Sequence, residues 1–76
     1  MIHRSFYHWL MTQRKPSKAN AIQEFANAAF FDSTFPKQSK NFSEISNYLE
    51  ENANYLMSMQ IFDKAWQKFL SSEENI

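Results

Sequence analysis

The chain contains no glycine in 76 residues, and this absence constrains its fold more than any residue it contains. Two-residue β-hairpins are built on Asn-Gly, Asp-Gly or a leading glycine, so tight hairpins have no turn chemistry here. Glycine-rich phosphate loops, mononucleotide and dinucleotide alike, are excluded for the same reason. Cysteine is absent too, which removes a disulfide framework, a thiolate zinc site and a cysteine nucleophile. The two prolines, Pro16 and Pro36, push the residues before them out of the helical region and mark breaks.

Between those breaks the apolar spacing is helical. A first segment is expected over residues 5–13, with Ser5 as N-cap and Phe6, Trp9, Leu10 and Gln13 on one face. A second runs over 21–31. Asn20 and Gln23 make a capping pair, and Ile22, Phe25, Ala26, Ala29 and Phe30 follow the full amphipathic template. A third covers 42–51, where Asn41 and Glu44 repeat the capping arrangement and Phe42, Ile45 and Leu49 give the face. A fourth is expected over 53–70, with Tyr55, Met59, Phe62, Trp66 and Phe69 stepping by four and three. Asn52 stands between the last two as a left-handed C-cap. The polar stretch 71–76 is expected to fray. The fold class is therefore all-α: one compact four-helix domain over residues 1–76, with its core at about 5–70.

Apolar residues are 43% of the chain and charged residues 21%, a globular balance and not a disordered one. No apolar run nears the roughly 18 residues of a membrane span. The opening Met1-Ile2-His3-Arg4 lacks the apolar stretch of a signal peptide. A soluble, cytoplasmic protein without membrane contact is expected.

Several blocks have a familiar pattern. They are Ser5-Phe6-Tyr7-His8-Trp9-Leu10, Glu24-Phe25-Ala26-Asn27, Phe35-Pro36-Lys37, Glu44-Ile45-Ser46 with Tyr48-Leu49-Glu50, Asn52-Ala53 with Tyr55-Leu56, and Phe62-Asp63 with Ala65-Trp66. In this order, and spread over all four segments, they resemble the YozE-like family of small bacterial proteins. The resemblance implies a cytoplasmic protein with a four-helix fold similar to sterile-alpha-motif (SAM) domains, and it implies no activity. The chain departs from the family pattern at Asn54, where the resemblance implies an acidic residue. SAM-like folds serve both protein association and nucleic-acid binding, so the fold does not choose between them.

Thirteen residues are aromatic, eight Phe, three Tyr and two Trp. Tyr7, Phe31, Phe35 and Tyr48 fall off the periodic faces or in loops. They are either loop pins or parts of an exposed patch of the kind that marks partner surfaces. Charge is polarised along the chain. Residues 1–40 carry six basic and two acidic side chains, a balance of +4, and residues 41–76 carry the reverse, −4. This is either a solvated surface with local pairing or the basis of a head-to-tail contact between copies, basic face to acidic face. The five loop cations Arg14, Lys15, Lys18, Lys37 and Lys40 also suit phosphates, but the net charge of zero is unlike that of a dedicated nucleic-acid domain.

Catalytic and metal chemistry find little footing. His3 and His8 are five apart, a spacing that does not share one helical face. Glu50 and Glu51 point to different sides of a helix. No serine is placed with a base and an orienter, and a chain this small leaves little room for a sizeable pocket. Met57 falls off the apolar stripe and is the methionine expected to be exposed, whereas Met59 is expected in the core.

The expected function is thus a non-enzymatic protein–protein interaction module without cofactor or metal. Its candidate surface is Tyr7, Arg14, Lys15, Lys18, Phe35, Lys37 and Lys40, facing a partner protein or a second copy. The alternative is weak nucleic-acid binding through the basic loop residues.

Overall fold

Four α-helices, α1 (Phe6–Met11), α2 (Ala21–Phe30), α3 (Phe42–Asn52) and α4 (Met59–Glu74), carry the chain in a computed structural model that describes residues 4–74. No strand occurs among the described residues. His3 and residues 75–76 lie outside them.

The N-termini form where the side chains direct. The Ser5 hydroxyl accepts the His8 N–H at 3.2 Å, opening a helix of only six residues. Asn20 and Gln23 close a full capping box, each side chain accepting the other's backbone N–H at 2.8 and 2.9 Å. Asn41 caps α3 by accepting from the Glu44 N–H at 3.0 Å, but its own N–H donates to the Ser39 hydroxyl rather than to Glu44.

Three expectations fail. The fourth helix starts at Met59, not near residue 53. Ser58 opens it, its hydroxyl accepting the Gln60 N–H at 3.1 Å, the geometry of an N-cap. The apolar stepping from Tyr55 to Met59 runs across a turn, with the Leu56 N–H bonded to the Ala53 carbonyl. Asn52 is the last residue of α3 and Ala53 its C-cap at φ −100°. Lys18, at φ 55°, is the left-handed residue among those described. Finally, residues 71–74 do not fray. They complete α4 and bury Glu73, whose carboxylate pairs with Arg4 at 2.9 Å.

The helix α4 packs against each of the other three, and α1 also packs on α2. Phe6 is the centre of this arrangement. It is fully buried, and its ring lies 5.4–6.3 Å from those of Trp9, Phe25, Phe62, Trp66 and Phe69. Aromatic rings at such spacings add to the area term that dominates a small core. Met59 is half-buried against this core, and Met57 is exposed. Phe30 and Phe42 lie on the apolar faces yet remain exposed, Phe30 as the last residue of α2 and Phe42 as the first of α3. Phe42 still stacks on Phe62 at 5.2 Å. The Arg4–Glu73 pair joins the basic first half of the sequence to the acidic second half across the fold.

Candidate functional site

Two residues of the expected surface are buried. Tyr7 and Phe35 are 8% and 3% exposed and pack on each other at 5.3 Å, pinning residues 31–41 to α1. Neither is available to a partner, which corrects their assignment as surface residues. Lys37 is half-buried beside them. Its Nζ donates to the carbonyls of Ser33 and Asp32 at 3.1 and 3.5 Å and lies 5.4 Å from the Tyr7 ring centre. That places a cation on carbonyls just past the end of α2, where the helix dipole favours it.

The remaining loop cations are anchored differently. Arg14 is exposed, with its guanidinium carbon 3.6 Å from the centre of the Phe30 ring. Lys15 is held by its backbone. Its N–H donates to Asn27 Oδ1 at 3.0 Å and its carbonyl accepts from Asn27 Nδ2 at 2.6 Å, leaving its side chain in solvent. Lys18 and Lys40 are exposed, and their side chains make no hydrogen bond among the described residues. His8 is exposed with Nδ1 3.0 Å from the Ser5 hydroxyl. The described residues contain no group of three His, Cys, Asp or Glu able to hold a metal.

The polar groups that do converge belong to Asp32, Thr34, Tyr48 and Tyr55. Asp32 follows the end of α2, and its Oδ1 accepts the Thr34 N–H at 3.1 Å, an Asx turn. The Thr34 hydroxyl lies 3.0 Å from the same oxygen. Tyr48 from α3 and Tyr55 from the turn before α4 both donate to Oδ2, at 2.5 and 2.8 Å. Burial pushes the Asp32 carboxyl up, but the bonds from Tyr48, Tyr55 and Thr34 outweigh it and hold the group below its ordinary value of 3.8. Burial and the adjacent carboxylate raise both phenols above their ordinary 10.0, Tyr55 far above it.

This cluster lines an open cleft of about 520 Å³ together with Ala28, Phe31, Asn52 and Asn54. Phe31, 80% exposed, stands at its edge and meets Phe30 edge-on at 5.0 Å. A second cleft, of about 240 Å³, shares Ala28 and Tyr55 with the first and is lined by Phe25, Leu56, Met57 and Ile61. A third, about 550 Å³, lies between α1 and α4 around Trp9 and Lys68. All three are surface grooves open to solvent. The sequence offered part of the signal. Asp32-Ser33-Thr34 is a readable Asx turn, and Tyr48 falls off its helix face. That two tyrosines far along the chain close on Asp32 is not written locally.

The family model for the YozE SAM-like fold matches residues 5–71. A UPF0346 protein of Oenococcus oeni is 71% identical over 76 residues, spanning the whole of both chains. One from Lactiplantibacillus plantarum is 60% identical over 72 residues, 95% of this chain and 99% of the relative. The solution NMR structure of the UPF0346 protein yozE from Bacillus subtilis superposes with a TM-score of 0.81 at 49% identity, covering 91% of this chain and 84% of that one.

Proposed function

The chain belongs to the YozE SAM-like family, and on that premise we propose that it is a non-enzymatic protein–protein interaction module. The observation that carries this reading is Phe31, a large aromatic 80% exposed at the end of α2. Burying such a ring is favourable by about 1.5–3 kcal/mol, so leaving it in water suits a surface that a partner covers. Phe30 and Met57, both exposed, extend the apolar area, and Arg14 on Phe30 adds a positive charge at its rim. The docking surface is therefore the end of α2 with the turn before α4, not the Tyr7–Phe35 region.

The ionisable groups support a non-catalytic reading. Asp32 is held below the usual carboxylate range while Tyr48 and Tyr55 are pushed upward. Proton transfer at neutral pH calls for pKa values moved toward neutrality, and these move away from it.

The test is a photo-crosslinking amino acid at position 31, with exposed Lys68 on α4 as the control position, in cells of the native host. Discrete protein adducts at 31 and not at 68 are expected, and an adduct of twice the chain mass would identify a second copy. Equal labelling at both positions would remove the reading. Adducts destroyed by nuclease but not by protease would replace it with nucleic-acid binding.

A further inference from the structure

We propose that the Asp32 cleft is a subsite for an arginine side chain of the partner protein, an assignment that rests on the interaction-module reading. The argument is one of proton counting. Three oxygen–oxygen contacts join Thr34 to Asp32, Thr34 to Tyr48 and Tyr48 to Asp32, at 3.0, 2.7 and 2.5 Å. Two hydroxyl protons serve those three contacts. The Tyr55 proton is also committed to Asp32. The Asn52 Nδ2 group donates to the Tyr48 carbonyl at 3.2 Å, leaving its second N–H as a donor and its Oδ1 as an acceptor. The hydroxyl protons are thus spent within the cluster, and with the Thr34 N–H they occupy the acceptor sites of the Asp32 carboxylate, so the cluster offers a ligand its one negative charge and the lone pairs of the hydroxyl oxygens and of Asn52 Oδ1. A site of this kind attracts a cationic donor and repels an anion.

The charge has no ionic partner among the described residues. Among the described residues the one ion pair is Arg4–Glu73, and Lys37 binds the Asp32 carbonyl rather than its carboxylate. Hydrogen bonds from Thr34, Tyr48 and Tyr55 hold the carboxylate charged, and an incoming cation adds the opposite charge that none of these neutral donors carries.

Arginine is favoured over lysine by the exposed Phe31 ring at the edge of the cleft, since a planar guanidinium stacks on an aromatic face and an ammonium does not. The next ring along, Phe30, already carries Arg14 in that way. A polypeptide segment is favoured over a free cation by the second cleft. It adjoins the first through Tyr55 and Ala28 and is lined by Phe25, Leu56, Met57 and Ile61, with Ala21 and Glu24. An apolar residue beside the arginine fills it.

The experiment is a titration of the ¹⁵N-labelled protein followed by amide shifts. The probes are N-acetyl-arginine amide, its neutral isostere N-acetyl-citrulline amide, methylguanidinium, and acetyl-Arg-Leu-amide. Saturable shifts at Phe31, Thr34 and Asn52 are expected with arginine, in the millimolar range. The citrulline probe should be weaker by about tenfold or more, and the added leucine should tighten binding and shift Met57. Asp32→Asn should abolish the arginine preference. Phe31→Leu, at an exposed position that does not threaten folding, should weaken binding about two- to fivefold. Equal binding of citrulline, or shifts confined to another surface, would overturn the subsite. Methylguanidinium binding as tightly as the dipeptide would overturn the assignment to a protein segment. Crosslinks at position 31 without arginine binding would leave the module standing and the subsite refuted. Arginine binding without crosslinks would leave a guanidinium-selective cleft and refute its assignment to a protein partner.

Discussion

Replacing Glu73 measures directly whether the end of the chain is structural. Its carboxylate is 2% exposed and receives three charge-assisted contacts from Arg4: the backbone N–H at 2.6 Å, Nε at 3.0 Å and Nη2 at 2.9 Å. Arg4 Nη2 also donates to the Ser72 hydroxyl at 2.9 Å. Removing one partner of a fully buried pair costs about 3–5 kcal/mol. Arg4 is 34% exposed and regains water when its partner is lost, so Glu73→Ala is expected to cost about 2 kcal/mol, within the range for bonds to charged groups. For a domain of this size that lowers Tm by about 8–16 °C. Glu73→Gln keeps an acceptor for the Arg4 N–H and should lose about half as much. The assay is urea and thermal unfolding followed by circular dichroism, run as a double-mutant cycle with Arg4→Met. A coupling energy above about 1 kcal/mol is expected, because the pair is shielded from water. A loss within about 0.5 kcal/mol, the usual effect of a surface substitution, would refute the reasoning and restore a frayed end.

Two further outcomes are expected. Lys18 holds a left-handed conformation at φ 55°, which costs a residue with a Cβ about 1–2 kcal/mol. Lys18→Gly, introducing the one glycine of the chain, should therefore stabilise it by about 0.5–1 kcal/mol after the entropy of the unfolded glycine is counted, as read from a urea midpoint shift. Asp32 gives a pH signature. Its folded pKa lies below the ordinary 3.8, so its contribution is fully present above that value and is lost as pH falls through the folded pKa. Unfolding curves of the Asp32→Asn variant should accordingly be flatter than wild type below about pH 4, and parallel acid limbs would show that the cluster does not stabilise the carboxylate.

The helices were legible because their signals are short-ranged. Ser5, Asn20 and Asn41 each cap a helix by accepting an N–H three residues on, and the apolar positions of α2 repeat at the helical period. The fourth helix starts later than its apolar period for a related reason. Tyr55 continues the period of Met59, Phe62 and Trp66 in sequence, yet its hydroxyl is drawn to Asp32, and Ser58 supplies the start instead. Periodicity reports a face and not the extent of its cover. Phe30 and Phe42 both sit on apolar faces, at the last and first positions of their helices, and both stay exposed.

The sequence by itself determined an all-helical chain, the residues that begin three of its helices and most of its aromatic core, because each of these depends on contacts within a turn or two. Only the tertiary structure decided which aromatics are left in water and which charges meet. Asp32 finds its phenols 16 and 23 residues away, and Glu73 finds Arg4 across 69. Contacts at such separations follow from how the helices pack around Phe6, and no local pattern specifies them. The interior place of Tyr7 and Phe35, and the open place of Phe31, follow from that packing too.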